Sequence, residues 1–224
     1  MNTKVKEIFA SIQGEGPVVG YKQLFIRFCD CNLRCRYCDT DFNINDSLEY
    51  SPAQLFEKIT TDYDLETFHS ISLTGGEPLL SVAFLQEFLP LVYGKTKIYL
   101  ETNATLGENL EKIKGYIDII SADIKLESST GLNTMELHKN FFDKCTNIDT
   151  FAKVVFDENI TEKEIKDCTD LAQQFDVELI LQPKMTSSGM SVSSIFCSSI
   201  LDKFIMRYPK VRLIPQVHKF IGVQ

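Results

Sequence analysis

The sequence has no run approaching the roughly 20 consecutive apolar residues of a membrane-spanning helix. Its 44 % hydrophobic content over 224 residues is instead enough to bury one soluble core. The opening MNTKVKEIFASIQGEG has no apolar stretch of the kind a secretory signal needs, so the chain is expected to be cytoplasmic, with its thiols kept reduced. Positive charge is in short supply as well: 23 Lys and Arg against 31 Asp and Glu leave a formal net charge of -8. The lysines form no stripe, which argues against a nucleic-acid backbone as partner and for a small-molecule substrate. No linker, low-complexity tract or repeat divides the chain, and a single domain over residues 1–224 is expected.

What the sequence does have is CDCNLRCRYCDT, residues 29 to 40, which holds four of the seven cysteines. In a reducing compartment, clustered cysteines point to metal before disulfide. A structural zinc ion wants a closed tetrahedron, usually from two cysteine pairs, whereas Cys31, Cys35 and Cys38 form a CxxxCxxC triplet with no second pair downstream. Cys29 sits only two residues before the triplet, at the end of an apolar strand, and reads as a buried thiol or a fourth ligand. Three thiolates on a 4Fe-4S cluster leave one iron without a protein ligand, open to a small molecule. Cys145, Cys168 and Cys197 fall in helical patterns and read as packed thiols, and His69 and His138 as ordinary surface or core histidines.

Strand and helix patterns alternate along the chain. Residues 23–28, 69–74, 97–102, 117–125, 150–156, 177–183 and 211–216 read as strands, and 51–63, 81–94, 106–116, 135–145, 161–175 and 193–208 as helices. Ser51 with Pro52, and Thr161 with Glu164, supply helix-start signals. Such alternation implies right-handed crossovers and a parallel α/β sheet, here a partial (βα)6-type barrel. The cysteine loop, TGGEP (74–78), ETN (101–103), SADIK (121–125), QPK (182–184) and PQVHK (215–219) each follow or end a strand. Polar and glycine-rich groups therefore gather at the carboxyl ends of parallel strands, where such sheets build active sites.

CxxxCxxC after the first strand, with Tyr37 before the last cysteine and GGE after the second, resembles the radical S-adenosylmethionine (SAM) superfamily. EIFASIQGEGPVVGYKQLFIRFCDCNLRCRYCDTDF at the front and VRLIPQVHKFIGV at the back narrow the resemblance to the 7-carboxy-7-deazaguanine synthase family of 7-deazapurine, queuosine and preQ0 biosynthesis. It covers essentially the whole chain and implies a lyase. In that family 6-carboxy-5,6,7,8-tetrahydropterin becomes 7-carboxy-7-deazaguanine with loss of ammonia. A 5′-deoxyadenosyl radical removes the C6 hydrogen and SAM is regenerated.

The resemblance also implies a site. Cys31, Cys35 and Cys38 would hold the 4Fe-4S cluster, and Thr40 would give an oxygen to magnesium. Ile12, Gln13, Gly14, Glu15, Arg27, Thr74, His218 and Gln224 would meet substrate, with Arg27 and Glu15 as its catalytic pair. Tyr37, Cys38, Asp39, Gly76, Glu77, Ser121, Ala122, Asp123 and the segment Gln182, Pro183, Lys184 and Met185 would meet SAM. Arg27 can fork to a carboxylate, and Gln13 and Glu15 can answer the donor and acceptor edge of a pterin. The family's ETNGT pattern is broken by Ala104, which weakens the implied contacts of Glu101 and Asn103. An electron donor such as flavodoxin or ferredoxin and a homodimer are implied too. The alternative is a radical SAM activase that places a glycyl radical on a partner enzyme, which would have no use for Gln13, Glu15, Arg27 or Thr40. From another class, a zinc-stabilised binding module would be colourless and would unfold without metal.

Overall fold

A computed structural model describes residues 1–35, 38, 46–186 and 189–223. Its strands are β1 (Thr3–Ile12), β2 (Lys22–Phe28), β3 (Leu48–Tyr50), β4 (Ser70–Gly75), β5 (Lys97–Thr102), β6 (Ile119–Ile124), β7 (Asp149–Phe156), β8 (Glu178–Pro183), β9 (Met185–Thr186), β10 (Gly189–Met190) and β11 (Val211–Leu213). Nine of them form one sheet in the order β11-β8-β7-β6-β5-β4-β2-β1-β3. From β2 to β11 every pairing is parallel, while β1 runs antiparallel to both β2 and β3. Among the described residues the sheet is open, with β3 and β11 as its edges, in keeping with the expected partial barrel.

The helices are α1 (Pro52–Asp62), α2 (Val82–Val92), α3 (Gly107–Glu111), α4 (Glu127–Thr130), α5 (Met135–Lys144), α6 (Glu162–Phe175), α7 (Ser194–Ile205) and α8 (Val217–Ile221). Two helix starts form as the sequence indicates. Ser51 and Gln54 close a capping box on α1, and Thr161 and Glu164 close one on α6. The helix expected over 106–116 is instead α3 followed by a 3-10 turn at Lys114–Tyr116. β1 was not anticipated, and it adds an antiparallel strand beside β2. Among the described residues no helix is long and apolar enough to cross a membrane.

The period of two along each strand divides the sheet into two unlike faces. Leu24, Ile26 and Phe28, Ile71 and Leu73, Ile98 and Leu100, Ile120 and Ile124, and Val154 and Phe156 all belong to the main core cluster, together with α2 residues such as Phe84 and Phe88. Each such side chain taken out of water contributes about 1.5 to 3 kcal/mol. The alternate residues face the other way. There a small apolar floor of Tyr99, Ile119, Phe151 and Ile180 packs against Val18 and Ile214. Above it stand Arg27, Thr74, Glu101, Asp123, Lys153 and Gln182, all of which line one cavity.

One buried histidine braces the strand ends. Lys125 N–H donates to His138 Nε2 at 3.0 Å, so the proton sits on Nδ1 and is donated to the Ala104 carbonyl, also at 3.0 Å. Thr134 Oγ1 lies 2.9 Å from Nε2 and donates to the Lys125 carbonyl at 2.9 Å. The brace fixes the turn after β5, where Ala104 has a left-handed φ of 54° that ordinarily favours glycine. Burial drives the His138 pKa from 6.5 down to about 4, so the ring is neutral at pH 7. The unfolded chain therefore binds more protons between those two values, and stability present above the upper one is lost as pH falls through the window. On this account the His138 contribution to the unfolding free energy falls by about 1 kcal/mol between about pH 7 and 5.5, and it is read as the difference between wild type and a His138 variant, because Glu77, with its raised pKa, contributes the opposite slope in both proteins. His138→Gln should lack that part of the slope. Parallel slopes in urea unfolding of the two proteins would exclude His138 as the source.

Candidate active site

The carboxyl ends of the parallel strands open on a cavity of about 270 Å³. Of the residues singled out in the sequence, it gathers Ile12, Gln13, Gly14, Glu15, Arg27, Cys31, Cys35, Cys38, Thr74, Gly76, Asp123, Gln182, Lys184, Met185 and His218. Glu77, Ser121, Ala122 and Pro183 do not line it. Ala122 points into the core on the opposite face of β6, and Ser121 hydrogen-bonds Tyr99. Tyr37, Asp39, Thr40 and Gln224 lie outside the described residues.

At one end of the cavity are the three thiols. Cys31 Sγ accepts from Leu33 N–H at 3.4 Å and from Asn103 Nδ2 at 3.8 Å, and Cys38 N–H donates to the Cys35 carbonyl at 3.2 Å. Burial pushes the Cys31 and Cys35 thiols up, with Lys125 pulling both the other way. Cys29 is only 3 % exposed, belongs to the core and is hydrogen-bonded to Ser47. Among the described residues no three His, Cys, Asp or Glu side chains close on a single point. Three thiols lining one cavity, with N–H donors aimed at the Cys31 sulfur, suit a 4Fe-4S cluster that keeps one iron open to a small molecule.

The glycine turn is dictated by space. Gly75 has φ 104°, and a Cβ on Gly76 would come within 2.0 Å of the Asp30 carbonyl oxygen. Only glycine lets this turn lie against the cysteine loop, where Gly76 N–H and Glu77 N–H donate to Phe28 and Asp30 carbonyls at 2.9 and 2.6 Å. The Glu77 side chain turns inward. Its carboxylate accepts from Leu79 N–H, Thr102 Oγ1 and Asn103 N–H at 3.1, 2.8 and 2.7 Å, locking the β4 turn to the end of β5. Burial outweighs those donors and lifts its pKa to about 7.

Much of the remaining lining is charged. Glu15 is ion-paired with Lys153 and accepts from Gln216 Nε2 at 2.6 Å. Burial opposes its ionisation, but the Lys153 charge, the hydrogen bonds from Lys153 and Gln216, and His218 together hold it at about 2. Lys153 Nζ is 3.2 Å from Asp123 Oδ1, and Asp123 Oδ2 accepts from Lys125 Nζ at 2.9 Å. Gln13 is already engaged by the protein. Its amide donates to Gln23 and Glu101, each at 2.9 Å, and its Oε1 accepts from Glu15 N–H at 2.9 Å. Glu101 also accepts from Thr74 Oγ1 at 3.0 Å. Arg27 lies 3.2 Å from Glu7 across the β1–β2 pair, with its guanidinium 5.5 Å from the Phe9 ring centroid.

Two distant segments meet beside Glu15. A Cβ on Gly14 would lie 2.2 Å from His218 Nδ1, and Val217 N–H donates to the Gly14 carbonyl at 2.9 Å. Sequence reading missed Lys153 and Lys125. The signal was there for Lys153, a lone lysine in the middle of the apolar strand TFAKVVF.

Residues 25–154 match the radical SAM superfamily. The 7-carboxy-7-deazaguanine synthase of Geobacter sulfurreducens is 32 % identical over 98 % of this chain and 97 % of its own length. That of Archaeoglobus fulgidus is 32 % identical over the full length of both. Among solved structures, QueE from Escherichia coli superposes with a TM-score of 0.66 at 19 % identity, covering 97 % of this chain and 95 % of that one. Streptococcus suis SuiB bound to S-adenosylmethionine gives 0.57 at 17 % identity over 86 % of this chain and 49 % of that one. These two likenesses speak for the fold alone. With three thiols and a glycine turn at the strand ends and full-length identity to named relatives, the chain belongs to the radical SAM superfamily and, within it, to the 7-carboxy-7-deazaguanine synthase family.

Proposed function

We propose that this chain is a radical SAM lyase that converts 6-carboxy-5,6,7,8-tetrahydropterin to 7-carboxy-7-deazaguanine with loss of ammonia. The observation that carries the reading is one cavity lined by Cys31, Cys35 and Cys38 and also by Arg27 and Glu15, in a chain with full-length relatives of that name. Cys31, Cys35 and Cys38 would hold a 4Fe-4S cluster, and the cavity-lining Gly76 would meet the methionine end of SAM. When bound, these two supply the radical that removes the substrate's C6 hydrogen.

The chain's own residues bind and orient. Arg27 receives the substrate carboxylate in a two-pronged contact, since a guanidinium presents parallel N–H donors. Glu15, held ionised, accepts from the N–H donors of the pterin ring. Thr74, Ile12, Gly14 and His218 line the space around it, and Asp123, Gln182, Lys184 and Met185 the SAM side. Thr40 contributes an oxygen to a magnesium ion, which prefers hard ligands. A homodimer, a flavodoxin or ferredoxin donor and a cytoplasmic location complete the reading.

The deciding experiment is anaerobic turnover of 6-carboxytetrahydropterin by the reconstituted protein. Alanine at Cys31, Cys35 or Cys38 is expected to abolish bound iron and the charge-transfer colour, while Cys29→Ala keeps most of both. Equal loss of iron in Cys29→Ala would mean a different ligand set. Arg27→Ala and Arg27→Lys are expected to keep cluster and SAM binding and to lose about 2 to 5 kcal/mol of transition-state stabilisation, because the substrate carboxylate is left without its partner. Turnover by Arg27→Ala near the wild-type rate would overturn the substrate assignment.

A further inference from the structure

Lys153 is an inward-facing charge at the cavity that the substrate assignment does not use. It sits mid-strand on β7, 5 % exposed, and its register partners are Asp123 on β6 and Ile180 on β8. Two residues earlier on the same face, Phe151 packs into the apolar floor with Ile180. An aliphatic residue at 153 would extend that floor and avoid the desolvation that a buried ammonium incurs. A sheet needing only stability has no use for a lysine here.

The contacts indicate what the lysine does. Its ammonium bridges Glu15, on the loop after β1, and Asp123, on β6. It thereby ties a loop carboxylate to the rigid sheet. Gln216 holds the other Glu15 oxygen. Each carboxylate oxygen has two acceptor sites, so a Glu15 held this way still has one on each oxygen for a ligand. Around it face Asp123 and Lys125 of the β6 end, Glu101 and Tyr99 of β5, Lys153 of β7, and His218 of the C-terminal segment. With Glu15, Glu101 and Asp123 in one buried group, removal of Lys153 leaves three carboxylates against Lys125.

We propose that Lys153 is a positioning residue for substrate recognition, holding Glu15 as an oriented anion whose free acceptor sites take the N–H donors of the pterin ring. This rests on the substrate reading above. The salt bridge also explains why Glu15 stays ionised at about 2 despite burial, an effect that Lys153 dominates among the groups that lower it.

The test is equilibrium dialysis of 6-carboxypterin, a stable oxidised analogue, against the reconstituted protein across the neutral pH range. Wild type is expected to bind with no pH dependence from Glu15. Lys153→Met should bind at least tenfold more weakly near pH 7 and regain affinity as pH rises, because its unpaired Glu15 now titrates there. Lys153→Arg, which keeps the cation, should stay within a few-fold of wild type with a flat profile. Lys153→Met/Glu15→Gln, which removes one charge of each sign, should bind no worse than Glu15→Gln alone, also with a flat profile. That last comparison decides the matter if Lys153→Met does not fold. Wild-type affinity and profile in Lys153→Met, or a further tenfold loss in the double variant relative to Glu15→Gln, would overturn the inference and leave the substrate reading standing. Absence of binding to the wild type at any pH would overturn both.

Discussion

The alternation of side chains along parallel strands is the constraint on which the rest of this molecule depends. One set of residues faces the helices and is almost wholly apolar, and it carries the stability. The other set faces a partly enclosed interior and is therefore free to be polar, ionic and functional. A residue's place in that two-beat pattern decides whether it is core or site, which is why Ala122 and Asp123, adjacent in sequence, have unrelated roles. The carboxyl ends of the strands then bring to one cavity loops that the sequence keeps far apart.

The cysteine loop and the charged lining of the cavity solve different problems. At the cysteine end, backbone does the work: a glycine turn with no room for a side chain, and the Glu77 carboxylate binding main-chain donors from two strand ends. Around Glu15 side chains do it, through ionised partners held in pairs. Buried charges of this kind are costly unless matched. The matching here is spread over four elements, so no one of them can shift without disturbing the others.

Much of this was legible in the sequence, and the misses have physical causes. The cysteine triplet, TGGEP and SADIK are local strings at strand ends, and local strings are read without knowing the fold. Ser51 and Thr161 announced their helices for the same reason. β1 was missed because TKVKEIFASI lies towards one margin of the sheet, half exposed, and mixes lysine and glutamate into its alternation. Lys153 escaped because its meaning lies in Glu15, 138 residues away, and no local pattern carries a pairing of that span. Glu77 sits in the motif as expected, but its direction follows from the buried N–H groups of Leu79 and Asn103, which only the packed turn reveals.

The meeting of Gly14 with His218, and of Glu15 with Gln216 across 201 residues, has a consequence for how the molecule breathes. The segment carrying Gln216 and His218 ends in a five-residue helix with no buried residues, and it meets the loop after β1 at Gly14 and Glu15. Protection against hydrogen exchange is therefore expected to be lower in this segment than in the strands beneath it. Opening of that segment would take the Gln216 contact from Glu15 while the sheet beneath stays folded.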